Sequence, residues 1–552
     1  MMIFPRLEAC TATTMIKQQI SSFSSTPGPR NLFDVDSITA AVTSMNEQIA
    51  YHETELARLK RIRLEYQTSL SPFYRIPEET LEYIFEYAVE KNSFGWRPGH
   101  CSSDTYKLGQ VCRRWRNLSQ TTSRLWTTIL LKIHPFRTYP ITAFQRLTDH
   151  LLRSQDSPLS VEIEIEFMVV EHDSSTRFLD LVLQQSHRWR SFQYIQLSQI
   201  GDFLYLDFIL KREMRALETL KVVLDQSYDQ EVPPELTPCI VSSPLQTVHL
   251  SFSGTAIMPF LGIFGHGPLL TRLRVEVDIR DAIPLLRSCQ NLVAAHLVLA
   301  NTGRPIEVHS SMIPDTHGTL HTLTVEAPSQ SDLHLISFFL CAFTSPWLTS
   351  LSVITTNLSY EQPVVLSLLF SNSLISFLRR SGGPKTLKSF KVVEIPIQTT
   401  HLIQVLHVLP SLRTLENHSI TNDGFPPLLT TAFFCALNFW PTASHESSVY
   451  PRKTVALPML REASFIVGND WEDNAFENML QSRVDGELKS VFLRIRGRAT
   501  HLDVRWLERI NAKNDLAVRV VKGESVEKEV VGYWVKPVVG LRRYCWRDLI
   551  SL

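Results

Sequence analysis

The region from Ile76 to Leu130 carries the strongest structural signals in the sequence. It reads IPEETLEYIFEYAVEK, then a polar break, then KLGQVCRRWRNLSQTTSRLWTTIL. Pro77 suits the first position of a helix, and Glu78 and Glu79 place carboxylates where a helix N-terminus favours them. Apolar residues follow at helical spacing in three runs: Leu81, Ile84, Phe85, Ala88 and Val89; Leu108, Val111, Cys112, Trp115 and Leu118; and Leu125, Trp126, Ile129 and Leu130. The stretch therefore predicts three short amphipathic helices. Helices this short bury little apolar surface, so we expect a partner protein or the next domain to complete them.

The same stretch resembles the F-box, the module that docks adaptor proteins into SCF-type ubiquitin ligases through a Skp-family subunit. Four blocks carry the resemblance in the order of the family: Ile76-Pro77-Glu78-Glu79, Leu81 to Phe85, Val111 to Leu118, and Leu125 to Ile129. The segment 91–107 departs from the pattern because it is longer than the usual connection between helices. The resemblance implies an F-box at residues 73–131.

The family pattern also implies adaptor-binding residues when it is carried over position by position. They are Ile76, Pro77, Leu81, Ile84, Phe85, Leu108, Val111, Cys112, Trp115, Leu125 and Trp126. Some of these side chains must instead form the core of the module, and the sequence does not separate the two groups.

The charge balance of the chain excludes broad electrostatic recruitment. Lysine plus arginine equals aspartate plus glutamate, at 55 each among 552 residues. A formal net charge of zero gives no global field that would attract nucleic acid or an anionic membrane. We therefore expect neither among the partners.

The cysteines predict a reducing environment. All eight are scattered, with no CxxC pair and no histidine at ligand spacing, which argues against a metal site and a disulfide framework. No apolar run is long enough for a signal peptide or for a membrane span of about 18 residues. We expect a protein of the cytoplasm, the nucleus or both, without a metal or another cofactor.

The N-terminal segment predicts a tail followed by a helix. Residues 1–35 are rich in Ser, Thr and Pro and predict disorder, and residues 36–71 predict one heptad-patterned helix. Its seam comprises Ile38, Val42, Met45, Ile49, His52, Leu56, Leu59, Arg63, Tyr66 and Leu70. Two alternatives stay open, a homodimeric coiled coil through residues 38–70 and a single helix that packs on the F-box or on the next domain. A short heptad helix leading into an F-box is similar to a layout common in F-box proteins of mushroom-forming fungi.

An apolar motif recurs after the F-box, written Φ-x-x-Φ-x-Φ with Φ apolar. Its first positions are residues 189, 217, 245, 270, 292, 320, 348, 387, 412, 460 and 488, so that five of the ten intervals equal 28 residues. This period lies within the range of leucine-rich repeats, in which the last Φ positions form a strand and the remainder returns as a helix. The motif lacks the Asn/Cys ladder position, and an unrelated α/β fold is the alternative. A doubly wound sheet would not keep a 28-residue period.

The predicted fold class is α/β, with an N-terminal helix and a three-helix F-box followed by a leucine-rich-repeat-like solenoid of parallel strands with helices on the convex side. We place the array at residues 140–497 and a C-terminal cap at residues 498–552. Helices are predicted at residues 144–152, 176–185, 332–343, 366–379, 400–409 and 471–483. The interval of 48 residues between Leu412 and Leu460 implies an insert at about 421–454, which we interpret as a loop.

The positions between the Φ residues should line the concave face of the array, because side chains alternate along a strand. One column is mostly hydroxyl or small. Its neighbour is basic over its first half, with Lys221, His249, Arg274 and His296 as candidate target-binding residues. Such a stripe suits an acidic peptide or a phosphorylated degron, and a solvated face with no ligand is the plainer interpretation.

No catalytic constellation is present in the sequence. Residues 262–267, GIFGHG, lack phosphate-loop spacing, and neither GxSxG nor HExxH occurs. We therefore expect no catalytic residues. The leading hypothesis is a non-catalytic substrate receptor whose F-box docks a Skp-family adaptor, and through it a cullin, while the array binds an unknown target protein. The alternative is a leucine-rich-repeat interaction scaffold with no ubiquitin role.

Overall fold

The computed structural model describes most of the chain between residues 35 and 522. The described residues are 35–70, 75–89, 92–94, 104–133, 139–165, 173–196, 206, 209, 212–224, 243–252, 269–300, 314–329, 332–357, 364–395, 397–418, 429–438, 457–467, 473–483, 486–495 and 516–522. The predicted N-terminal tail lies outside them, apart from its last residue. The chain divides into two compact units, Met1–Ile84 and Phe85–Leu552.

The first unit contains the heptad helix and the start of the next one. Helix α1 (Val35–Leu70) confirms the predicted helix as one uninterrupted element with Asp36 in its first turn. Helix α2 (Glu78–Ala88) begins in the first unit and ends in the second, so the boundary between the units lies inside it.

The second unit alternates helices with strands. Its further helices are α3 (Asp104–Val111), α4 (Arg113–Thr121), α5 (Ile141–Arg153), α6 (Asp173–Leu183), α7 (Ile279–Ser288), α8 (Leu333–Ala342), α9 (Val364–Arg380), α10 (Gly383–Thr386), α11 (Thr399–His407), α12 (Thr431–Leu437) and α13 (Asp473–Arg483). Its strands are β1 (Asn92–Phe94), β2 (Thr128–Ile133), β3 (Leu159–Ile165), β4 (Trp189–Gln196), β5 (Thr219–Leu224), β6 (Thr247–Phe252), β7 (Arg272–Asp278), β8 (Ala294–Ala300), β9 (Asp315–Thr316), β10 (Thr322–Ser329), β11 (Phe343–Thr344), β12 (Ser350–Asn357), β13 (Ser389–Val393), β14 (Thr414–His418), β15 (Glu462–Val467), β16 (Ser490–Ile495) and β17 (Ala517–Lys522).

One long parallel sheet organises this unit. It has 15 strands among the described residues, and their order in the sheet is their order in the chain. Strands β9 and β11 lie apart and form a separate parallel pair. The mixed α/β class is therefore confirmed, and the assignment to the leucine-rich-repeat family stays a prediction.

The apolar positions of the repeated motif form the core of the second unit. Leu320, Leu323 and Val325 illustrate the pattern, because all three side chains are fully buried. The residues between them alternate to the other face of the sheet, as a strand period of two requires. The same pattern on neighbouring strands stacks apolar side chains into one continuous cluster. Burial of this surface is the main force that holds the strands in register.

The predicted helices between strands are confirmed to within a few residues. Residues 332–343 correspond to α8, residues 366–379 to α9 and residues 471–483 to α13. Gly382, which follows α9, has a φ of 67°, a left-handed conformation that glycine adopts without strain.

Part of the predicted insert is ordered. Helix α12 lies within residues 421–454, where we predicted a loop, and Phe433, Phe434 and Leu437 are buried. Phe434 packs edge-on against Phe465 of β15 and Phe476 of α13. These aromatic contacts make the segment part of the core, which a surface loop would not be. The rest of the predicted insert, residues 421–428 and 439–454, lies outside the described residues.

Two predictions for the first apolar stretch are wrong. The run around Leu125 and Trp126 does not form a third α-helix, because Ser123–Trp126 is a single 3-10 turn and β2 follows at once. The β-branched residues of TILLKI favour a strand, and their alternation fits its half-buried pleat. The second predicted helix is also interrupted at Cys112, whose φ of −157° and ψ of 171° are extended.

Buried arginines connect successive segments of the second unit. Arg483 donates from Nε to the carbonyl of Leu437 at 2.6 Å and from a terminal nitrogen to that of Leu457 at 2.9 Å. Burial lowers its pKa to about 10, so the guanidinium remains charged at neutral pH. Arg188 is buried in the same manner and bonds the carbonyls of Leu151 and Ser157. The carbonyls of Leu437 and Leu151 lie in the last turns of α12 and α5, where helix carbonyls lack partners within the helix.

The sheet continues beyond the predicted end of the array. Strand β17 pairs in parallel with β16, from Ala517 opposite Ser490 to Lys522 opposite Ile495. The predicted C-terminal cap therefore contributes a strand in register with the sheet. Residues 501–510, whose sequence HLDVRWLERI predicts a helix within the cap, lie outside the described residues.

Candidate functional site

Helix α2 has one buried and one exposed face. Leu81 and Phe85 are one turn apart and almost completely buried. Tyr83, Ile84 and Tyr87 are exposed, and Tyr87 keeps 88% of its surface accessible. An exposed run of large apolar side chains beside a filled core is typical of a protein-binding surface.

Trp126 forms the centre of the core next to α3 and α4. Its Nε1 donates to the carbonyl of Ser119 at 2.7 Å, so the indole is buried without an unpaired donor. Its ring meets Tyr106 edge-on at 5.2 Å between centroids. The hydroxyl of Thr105 donates to the carbonyl of Leu125 at 3.2 Å. These contacts fix the 3-10 turn against α3.

Cys112 is a helix cap and not part of a helix face. Its Sγ accepts a hydrogen bond from the backbone N–H of Trp115 at 3.4 Å, which caps the start of α4. Trp115 in turn packs edge-on against Phe85 at 4.8 Å between centroids. Sequence reasoning placed Cys112 on an apolar face because it did not detect the break between the two helices.

The structure separates the predicted adaptor-binding residues by exposure. Pro77, Ile84 and Val111 are exposed; Ile76, Leu108, Cys112 and Trp115 are partly buried; Leu81, Phe85, Leu125 and Trp126 are buried. The last four are core residues. The exposed Tyr83 and Tyr87 were not predicted, although they occupy the helix face opposite Leu81 and Phe85, and this spacing could have identified them.

A second group of predicted residues lies on the sheet face opposite the core. The strand register places Lys221 beside His249, His249 beside Arg274, and Arg274 beside His296. We call these four residues the basic row. Sequence spacing alone predicted this juxtaposition.

The two histidines of the basic row differ in their surroundings. Burial lowers the pKa of His249 to about 3, with further lowering by Arg274 and Lys221, so its imidazole is neutral. His296 contacts the carboxylate of Glu326 on β10 at 2.8 Å. Lys221 and Arg274 therefore supply positive charge on either side of a neutral His249, and the imidazole of His296 is bonded to Glu326.

Three further features of the described residues bear on function: possible metal ligands, possible membrane-spanning helices and cysteine thiols. No group of three or more histidine, cysteine or acidic side chains in these residues could hold a metal ion. None of the helices described is long and apolar enough to cross a membrane. Cys112, Cys289, Cys341 and Cys435 are free thiols, and burial raises the pKa of Cys289 to about 11.

Comparison with known families gives one result for the region around α2 to β2. Residues 73–132 match the family model described as F-box-like. The match supports the resemblance seen in the sequence and covers a small part of the chain. No curated protein matches the chain.

The F-box-like domain shares its C-terminal end with the sheet. Strand β1 and all of β2 except Ile133 fall within residues 73–132, and the two strands pair with each other from Asn92 opposite Ile129 to Phe94 opposite Leu131. Strand β2 then pairs with β3 over its whole length. Segment 91–107, where the sequence departs from the family pattern, thus supplies the first strand of the sheet.

His150 of α5 closes the aromatic core of the F-box-like domain. Its ring stands edge-on to Phe94 and to Trp126, each at 5.2 Å between centroids. Burial lowers its pKa to about 3, so the imidazole is neutral and packs as an aromatic side chain. The domain is therefore completed by the helix that follows it in the chain.

Proposed function

We propose that the chain is a substrate-recognition subunit of an SCF-type ubiquitin ligase. Its F-box-like domain would dock a Skp-family adaptor and, through it, a cullin, while the sheet region binds a target protein. F-box-like domains suggest an adaptor role of this kind in general, which supports the proposal. The ligase chemistry belongs to other subunits, and the receptor acts by raising the local concentration of the target near them. The proposal locates the protein in the cytoplasm, the nucleus or both.

The observation that carries this proposal is the division of the F-box-like residues into core and surface. Leu125 and Trp126 fill the core, whereas Val111 keeps 61% of its surface accessible at the end of α3. Ile84 is exposed at 46% on α2. Apolar side chains that a domain does not bury itself are those that a partner can bury, and docking would remove them from water.

Replacing both Ile76 and Pro77 with alanine should weaken adaptor binding by about tenfold, or roughly 1.4 kcal/mol. Pro77 is exposed and Ile76 partly buried, so truncation removes contact area without opening a cavity in the core. Titration calorimetry with a purified Skp-family protein measures the effect. A matched control is Ile141→Ala, an exposed isoleucine outside the domain, which should bind as the wild type does. If the double variant binds the adaptor with unchanged affinity, Ile76 and Pro77 are not part of the interface.

We also propose that the sheet region is a degenerate leucine-rich-repeat array. Two observations support this assignment. The parallel strands lie in the sheet in chain order, and a helix lies between most successive pairs of strands in the described part of the chain. The repeated motif aligns from strand to strand, for example Leu323 opposite Leu351 and Val325 opposite Val353.

The basic row is our proposed contact for an acidic or phosphorylated segment of the target. Lys221 and Arg274 would supply the charge, with the neutral His249 between them as a hydrogen-bonding group. Charge-assisted hydrogen bonds of this kind are among the stronger polar contacts of proteins.

A second candidate function is an interaction scaffold with no ubiquitin role. The extension of the sheet into the F-box-like domain favours it, because β1 and β2 would then serve to cap the array. Adaptor binding separates the two functions, since a scaffold needs no affinity for a Skp-family protein.

We propose that α1 pairs with α1 of a second copy in a parallel coiled coil. All seam residues with a described side chain are exposed, from Ile38 through Ile49 and Leu59 to Tyr66. The β-branched Val42 and Ile49 occupy a positions, where they favour parallel dimers. Glu55 at position g would face Lys60 at position e of the other copy, which favours the parallel arrangement further.

Dimerisation is tested by replacing Ile49 with aspartate at the centre of the seam. We expect the wild-type chain of 63.2 kDa to show twice this mass by light scattering at micromolar concentrations, and the variant to be monomeric, because a buried pair of carboxylates costs several kcal/mol. Tyr51→Asp, on the outer face of the helix, is the matched control and should remain dimeric. A monomeric wild type, or a dimeric Ile49 variant, would contradict the proposal.

A further inference from the structure

Four successive strands carry a basic residue at the position just before the strand begins. Lys388 precedes β13, Arg413 precedes β14, Arg461 precedes β15 and Lys489 precedes β16. We call these residues the basic rim. Sequence intervals of 25, 48 and 28 residues separate them, because each one directly follows the first apolar position of a copy of the repeated motif.

A ladder of backbone hydrogen bonds fixes the basic rim in one line. The N–H of Arg413 donates to the carbonyl of Lys388 at 2.8 Å, that of Arg461 to Arg413 at 2.8 Å, and that of Lys489 to Arg461 at 2.7 Å. Neighbouring backbones in such a ladder are ~4.8 Å apart. The four positions therefore span ~14 Å across the four strands, at the end of the sheet where these strands begin.

The run of charge is confined to these strands. The same ladder continues through the preceding strands with mixed residue types, namely Arg190, Glu218, Gln246, Thr271, Val293, His321 and Thr349. Arg190 there is neutralised by an ion pair with Glu218 at 2.8 Å. The corresponding positions of the preceding strands therefore form no continuous row of positive charge.

Most of the charge on the basic rim is uncompensated. Lys388, Arg413 and Lys489 are exposed, and within the described residues no carboxylate forms an ion pair with any of the three. Arg461 differs, because it pairs with Glu487 at 3.0 Å. Like charges on adjacent strands destabilise a sheet, so the run does not serve the fold.

We infer that the basic rim binds an extended acidic peptide segment that lies across the strands. Alternate side chains of an extended chain are ~6.8 Å apart, so three acidic residues at alternate positions span ~14 Å. This length equals that of the basic rim. The next row of the sheet carries Ser389, Thr414, Glu462 and Ser490, and the hydroxyl of Thr414 donates to the carboxylate of Glu462 at 3.5 Å.

A nucleic acid is the less suitable ligand for this surface. Sequence-independent binding of single strands relies on aromatic side chains on which bases stack, and no aromatic residue lies in the basic rim or in the row beside it.

The test is direct binding of a labelled peptide to the full-length chain, measured by fluorescence anisotropy at low salt. The probe is Gly-Glu-Ser-Glu-Ser-Glu-Gly, and the same peptide with glutamine in place of glutamate is the uncharged comparison. We expect the Lys388→Glu and Arg413→Glu double variant to bind the acidic peptide at least tenfold more weakly. The Arg177→Glu and Arg379→Glu double variant changes the net charge equally at exposed helical positions and should stay within twofold of the wild type.

Each alternative result counts against the inference. Equal loss in both double variants would reveal a non-specific charge effect, and equal binding of the glutamine peptide would exclude charge recognition. Stronger binding of a ten-nucleotide oligothymidylate, lost in the rim variant, would assign the surface to nucleic acid. Absence of detectable peptide binding to the wild type would overturn the inference. Lys489→Glu is an independent variant of the rim, to be used if the double variant does not fold. Because the measurement contains no Skp-family adaptor, its outcome is independent of adaptor docking.

Discussion

Trp126→Ala is expected to destabilise the second unit by roughly 3 to 5 kcal/mol, the usual cost of removing a large aromatic side chain from a core. The indole is 1% exposed and packs edge-on against Tyr106 and His150. The guanidinium of Arg153 lies 4.6 Å from its ring centroid, which adds a cation–π contact. Truncation would also leave the carbonyl of Ser119 without the 2.7 Å hydrogen bond from Nε1.

Urea denaturation followed by circular dichroism measures this loss. Trp347→Ala is the matched control, because Trp347 keeps 59% of its surface accessible and should change the free energy of unfolding by less than about 0.5 kcal/mol. Because β2 follows Trp126 directly, the loss should appear in unfolding of the sheet as well as of the F-box-like helices. A Trp126 variant as stable as the control would show that the F-box-like core does not support the fold.

Val111→Asp is expected to weaken the affinity for a Skp-family adaptor by at least ~100-fold, or ~2.7 kcal/mol. Val111 is exposed at the C-terminal end of α3, so aspartate disturbs no core packing. In the docked state the carboxylate would be buried against an apolar partner surface without a compensating charge, which is costly. Affinity by titration calorimetry and stability by denaturation together separate docking from folding.

Leu152→Asp provides the matched control for the adaptor measurement. Leu152 is a branched apolar residue with 70% of its surface accessible, it lies outside residues 73–132, and it receives the same charge. We expect its affinity for the adaptor to equal that of the wild type. Equal affinities for both aspartate variants would exclude Val111 from the interface.

Most strands could be predicted from the sequence because each one is encoded locally. The motif around Leu320 and Val325 combines a strand period of two with a fixed distance to the next copy, so strand position and register follow together. The basic row was predicted for the same reason. Its charge state was not, since the neutrality of His249 depends on burial that arises only in the folded sheet.

Other features depend on contacts between distant residues and could not be predicted. The separation of Val111 from Leu125 into surface and core depends on packing around Trp126, and both residues look equivalent in a helical pattern. The break at Cys112 arises because a thiol serves as the helix cap, which is a rare use of cysteine. The alignment of the basic rim follows from the repeated motif, but the exposure of Lys388, Arg413 and Lys489 becomes evident only in the folded sheet.

The central claim is that this chain is the receptor of a ubiquitin ligase, and reconstitution with purified partners tests it most directly. The full-length chain is mixed with a Skp-family adaptor and a cullin, and the complex is separated by size-exclusion chromatography. We predict one stoichiometric ternary peak that depends on the adaptor and disappears with Val111→Asp. Failure of the wild-type chain to retain the adaptor, under conditions where an established F-box protein retains it, would contradict the claim and leave the scaffold function.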